Sequence, residues 1–257
     1  MPIARHLGFL LLALSAGLGS AWAQDHTYST ADVTAGVRIY GAQCQLCHGP
    51  NGDMVNGVDL RRGRFKRAVT DEDLAKVLAS GVGGGAMPAF SFSADETRAV
   101  IALIRAGFDP NGTAVKVGNI DRGRALFAGK GGCATCHRTG STEPRTSAPD
   151  LSDIGAVRTP AALQRALLEP TTGMLPINRP VVYVLIDKSS VRGRRVNEDT
   201  FSVQLVTDSG ELKTLEKSRI STVMLGKESP MPPATKALSP DEVADVIGYL
   251  LSLRGAQ

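Results

Sequence analysis

The residues with the most specific chemistry are two cysteine pairs of identical spacing, each followed directly by a histidine. Together they contain every cysteine in the chain: Cys44, Cys47 and His48, then Cys133, Cys136 and His137. Three kinds of site use such residues. Both pairs could form one four-ligand zinc cluster, each pair could cycle as redox-active thiols, or each C-x-x-C-H motif could attach a haem.

The histidines favour haem. In a c-type haem the two cysteine sulfurs bond to the vinyl groups, and the adjacent histidine becomes the proximal ligand of the iron. A thioredoxin-type pair needs no following histidine, and it follows a strand in a βαβ pattern that this sequence lacks. A zinc cluster would leave two equivalent histidines unexplained. The sequence therefore predicts two covalently attached haem c groups, with paired thiols or zinc as the alternatives.

The first 23 residues resemble an export signal. Arg5 supplies a positive charge, Leu7 to Leu18 is a short apolar run, and Ala21-Trp22-Ala23 is a small-x-small cleavage site. Cleavage before Gln24 predicts a periplasmic protein, and an exported protein is not expected to bind nucleic acid. The alternative is an uncleaved membrane anchor, although the run is short for a span of roughly 20 residues.

The surroundings of the two motifs also repeat. Gly36 and Tyr40 precede the first motif as Gly123 and Phe127 precede the second. After each motif come a loop ending in Asp-Leu, helical stretches, a Met-Pro dipeptide and an amphipathic helix opened by a Ser-x-x-Glu capping box. The repeat predicts two domains.

The first predicted domain spans 24–110 and the second spans 119–257. A linker at 111–118 joins them, within the stretch 109–118 whose Pro, Asn and Gly residues favour an irregular connection.

This order of parts resembles class I cytochrome c over nearly all of the mature chain. The resemblance implies a mainly α fold of two tandem class I cytochrome c domains. It also implies axial ligation of each iron by a histidine and a methionine. These are His48 with Met87, and His137 with Met231.

The resemblance further implies a proline whose carbonyl accepts a hydrogen bond from the proximal imidazole, which fixes its tautomer. Pro149 stands 12 residues beyond His137 and fits this role. In the first domain Val58 replaces the proline, and a backbone carbonyl is expected to serve there as well.

The choice of Met231 depends on context. Met174 lies 37 positions beyond His137, close to the 39 positions between His48 and Met87. Met231 lies much farther along the chain, but it precedes a proline and the last helix, as Met87 does.

An insert at about 179–222 interrupts the second domain. Val181–Asp187 and Thr200–Asp208 have the composition of strands, and Asp208-Ser209-Gly210 is a turn signal. We expect a small antiparallel sheet of three to five strands, acting either as a cover over the haem edge or as a docking surface. It is similar to the β insert of haem-binding domains associated with quinoprotein dehydrogenases.

The resemblance implies an electron carrier and not an enzyme, because two axial ligands leave the iron no substrate position. The expected partners are redox proteins: a periplasmic quinoprotein-type dehydrogenase as donor, and a terminal oxidase or another cytochrome as acceptor. The alternatives are a di-haem enzyme, such as a peroxidase or sulfur-compound oxidase, and a haem-based sensor.

Two groups of basic residues have several interpretations. Those at 60–67 and at Arg192, Arg194 and Arg195 are either solvated surface, a docking patch or counter-charge to haem propionates.

Overall fold

The computed structural model describes residues 27–63, 65, 68–140 and 146–255. The signal segment and three basic residues of the 60–67 run lie outside the described residues. Within the described residues the chain forms eight α-helices and one five-stranded antiparallel sheet. The prediction of a mainly α fold is therefore wrong, because the sheet is a sizeable second component. Within the same residues no helix is long and apolar enough to span a membrane.

Four helices build the first half: α1 (Thr30–Gln43), α2 (Gln45–His48), α3 (Asp71–Ser80) and α4 (Ala94–Arg105). The three longer ones begin with capping boxes, which satisfy the free N–H groups of the first turn. Helix α1 crosses α4 at Gly36, where an added Cβ would lie 2.2 Å from the Ala99 carbonyl oxygen. The missing side chain lets the two backbones meet.

The second half repeats this crossing. Its helices are α5 (Ile120–Ala128), α6 (Ile154–Val157), α7 (Pro160–Leu168) and α8 (Pro240–Ser252). Helix α5 meets α8 at Gly123, where a Cβ would lie 2.0 Å from the Asp245 carbonyl oxygen. The glycines that repeat in the sequence thus occupy equivalent helix contacts.

The sheet lies between α7 and α8 in the chain. Its strands are β1 (Pro180–Leu185), β2 (Ser190–Glu198), β3 (Ser202–Thr207), β4 (Leu212–Glu216) and β5 (Ile220–Leu225), in the order β4-β3-β2-β1-β5. All neighbours are antiparallel. It has its own small core of Val181, Tyr183, Val203 and Leu205. The sheet extends to Leu225, beyond the predicted end of the insert at 222.

The segment predicted as a linker is packed between the halves. Ala114 is 1% exposed and belongs to a core cluster of the first half, while Val115 and Val117 are 0% and 1% exposed and belong to the core of the second. The Gly118 N–H donates to the Ala244 carbonyl at 2.8 Å. The two halves are consequently joined through buried backbone and side chains.

Candidate functional site

The first motif begins at the C-terminal end of α1. Cys44 caps that helix and is buried, whereas the Cys47 side chain is exposed. The His48 N–H donates to the Cys44 carbonyl at 3.0 Å. The Tyr40 hydroxyl, one turn before the motif, donates to the Gly49 carbonyl at 2.5 Å. Tyr40 therefore fixes the chain on both sides of the cysteine pair.

The second motif has the same backbone plan. The His137 N–H donates to the Cys133 carbonyl at 2.9 Å. Cys133 is partly buried against the core of the second half, and Cys136 is exposed. Phe127, the counterpart of Tyr40, contacts Tyr249 of α8 edge-on with ring centres 5.4 Å apart. Each motif thus offers one inner and one outer thiol.

The thiols have the state that haem attachment requires. All four cysteines are free of disulfide bonds. Throughout the described residues, no group of three or more His, Cys, Asp or Glu side chains is arranged to hold a metal ion. The two pairs therefore do not converge as one zinc cluster. Burial raises the pKa of the Cys44 and Cys133 thiols, so neither is activated as a redox nucleophile.

The His137 imidazole is oriented for ligation. Its Nδ1 lies 2.8 Å from the Pro149 carbonyl oxygen, the bond that the resemblance implies. Because a carbonyl only accepts, Nδ1 carries the proton and Nε2 keeps its lone pair for a metal. Burial lowers the pKa of His137, the Pro149 bond raises it, and the charge of Arg194 lowers it. The ring is thus suited to hold iron.

The His48 imidazole differs from that of His137 in its hydrogen bonding. Its Nδ1 is buried, and no hydrogen-bond partner lies near it among the described residues. The expectation that a backbone carbonyl replaces the proline carbonyl is therefore wrong. Val58 stands 10 residues beyond His48, whereas Pro149 stands 12 beyond His137, so this loop is two residues shorter. Burial alone lowers the pKa of His48, which favours the neutral, metal-binding form.

The two predicted methionines lie against the cores of their halves. Met87 packs on a first-half cluster, and its carbonyl accepts from the Val82 N–H at 3.0 Å. Met231 packs on the second-half core that Cys133 also contacts, and its N–H donates to the Ser229 hydroxyl at 3.1 Å. Met174 is not among the residues packed on any of the four described core clusters.

Contacts that the sequence did not reveal hold the loop after the second motif. The Leu151 N–H donates to the Arg138 carbonyl at 2.9 Å, and Arg138 pairs with Asp150. Arg194 of β2 donates from Nε to the Ser147 carbonyl at 2.7 Å. The sequence carries no signal for this last contact, because its partners lie 47 positions apart.

Part of the first half matches a known family. Residues 31–104 match the family model of cytochrome c oxidase, cbb3-type, subunit III. The match runs from α1 into α4 and contains the first motif and Met87. These residues form a cytochrome c domain, and such a domain implies a covalently bound haem c and haem-based electron transfer. No curated protein matches the chain.

Proposed function

We propose that the protein is an exported di-haem c-type cytochrome that transfers electrons. The main support for this proposal is the helix crossing that occurs in both halves, between α1 and α4 and between α5 and α8. Residues 31–104 form a cytochrome c domain around the contact of Gly36 with α4, and the second half builds the same contact at Gly123. Each crossing leads into a C-x-x-C-H motif and is completed by the helix that follows a Met-Pro loop. The second half is accordingly a second cytochrome c domain, in tandem with the first.

In this proposal His48 and Met87 would hold the first iron, and His137 and Met231 would hold the second. When bound, haem iron supplies one-electron chemistry by alternating between its ferrous and ferric states, and methionine ligation raises its potential. The chain's own residues orient the cofactor. The thiol pairs anchor it, and the Pro149 carbonyl fixes the ring of His137.

The partners follow from this role. We propose a periplasmic quinoprotein-type dehydrogenase as electron donor and a terminal oxidase or another cytochrome as acceptor. The export signal supports the periplasmic location, and the sheet supports the link to a quinoprotein. The basic run is a weaker docking candidate, because Arg61 lies 4.0 Å from Asp53 and Arg62 lies 3.6 Å from Asp59. These acids offset part of its charge.

Spectra of the ferrous protein with and without carbon monoxide test the carrier role. A methionine on each iron should leave both centres low-spin and unresponsive to the gas. Rapid binding of carbon monoxide at one iron would instead mean an open axial position. That result would support a di-haem enzyme, such as a peroxidase or sulfur-compound oxidase, and would overturn the carrier role.

A further inference from the structure

The three arginines of β2 lie in different environments. Arg192 pairs with Asp208 at 3.3 Å and is largely exposed, and Arg195 pairs with Glu198. Arg194 is half-buried, and no carboxylate among the described residues pairs with it. Within the part of the chain that the structure describes, no acid neutralises its charge.

Arg194 lies in the central strand of the sheet, where its backbone is fixed by pairing with Pro180 on one side and Val206 on the other. Its side chain reaches out of the sheet and donates to the Ser147 carbonyl at 2.7 Å. Two residues later the Pro149 carbonyl binds His137. A short series of contacts thus connects the sheet with the proximal histidine of the second motif.

A half-desolvated charge acts over a longer range than one in water, because the surrounding dielectric is lower. Ferric iron carries one more positive charge than ferrous iron, so a nearby cation disfavours the ferric state. Arg194 contacts Ser147 in the loop whose Pro149 carbonyl holds His137, so its effect is expected at the second motif.

We infer that Arg194 raises the reduction potential of the haem at the second motif, so that the sheet tunes this centre electrostatically. Arg194 would act at a distance through its charge, and its hydrogen bond to the Ser147 carbonyl holds that charge in place. The inference rests on the proposed second haem. It gives the sheet a role in addition to covering the haem edge or docking a partner.

The test is a redox titration of the mature protein and of three variants in β2, with Met231→Ala as a reference for the second haem. Arg194→Gln keeps an amide donor for the Ser147 carbonyl but removes the charge. We expect the ferrous-to-ferric ratio of the second haem, at fixed ambient potential, to fall about tenfold, which is about 59 mV for a one-electron couple. Arg194→Lys keeps the charge and should stay close to the parent protein.

Arg192→Gln is the matched control, because it removes an exposed charge from the same strand, two residues away. Solvent and salt screen that charge, so the ratio should change less than about twofold. The haem that responds should be the one that Met231→Ala also shifts.

The possible failures can be told apart by counting haems in the same samples. Two haems per chain with Arg194→Gln no different from Arg192→Gln would overturn the inference and leave the proposed function standing. An equal fall in Arg194→Lys would also overturn it, because the loop and not the charge would then control the potential. One haem per chain in the parent protein would overturn both.

Discussion

Met231→Ala should lower the reduction potential of the second haem and open its iron to carbon monoxide, whereas Met174→Ala should leave both properties nearly unchanged. Loss of an axial methionine is a large change, since axial ligand identity sets haem potentials over about 0.8 V. We therefore expect a fall on the order of 0.1 V, measured by redox titration, together with a new carbon monoxide band in the ferrous spectrum.

The two methionines differ in their packing. Met231 packs on the core that Cys133 contacts, in a loop whose Ser229 N–H donates to the Thr171 hydroxyl at 3.2 Å. Met174 precedes β1 and lies outside the described core clusters. If Met174→Ala exposed the iron and Met231→Ala did not, the sheet would follow the ligand loop in the chain and would not precede it.

Asp71→Ala should destabilise the protein by about 3–5 kcal/mol, the usual cost of leaving one partner of a buried ion pair alone. Asp71 accepts from Arg105 Nε at 2.7 Å, from the Tyr28 hydroxyl at 2.7 Å and from the Val117 N–H at 3.0 Å. The Arg105 side chain is only 4% exposed. Burial, followed by the Asp71 charge, raises the pKa of Tyr28, so its hydroxyl remains a donor. Denaturant unfolding of the haem-loaded protein measures the loss.

Asp121→Ala is the matched control. Asp121 also lies in the first turn of a helix, but it is exposed and faces Arg124 at 3.6 Å. Its loss should cost at most about 1 kcal/mol. The double variant Asp71→Ala, Arg105→Ala should lose less stability than the two single changes together, since neither charge is then left unpaired. Additive losses would contradict the description of Asp71 and Arg105 as a coupled ion pair.

Individual contacts could be predicted from the sequence better than the fold class could. The Pro149 contact with His137 follows a fixed spacing within one loop, so local sequence specifies it. The sheet is different. Strand β2 has the sequence SVRGRRVNE, without the alternation of apolar and polar residues that indicates a strand, and it forms because β1 and β3 pair with it on both sides. Such pairing is a tertiary effect, and the mainly α prediction underestimated it.

The environment of each proximal histidine was also only partly predictable. The repeat placed Val58 opposite Pro149, but it did not show that a loop shorter by two residues leaves His48 Nδ1 without a described partner. Arg194 contacts Ser147, beside the second motif, from strand β2, whose sequence lacks the alternation that indicates a strand. Contacts between distant segments depend on how the backbone is packed, and a single sequence does not encode them as a pattern.

A pyridine haemochrome count on intact mature protein tests most directly whether the second half carries its own haem. The parent chain should contain two haems. Replacing Cys44 and Cys47 by alanine should leave one, and replacing Cys133 and Cys136 should also leave one. A parent chain with a single haem, lost only when the first pair is replaced, would contradict the account, because the second half would then repeat the helix contact of a cytochrome c without binding its cofactor.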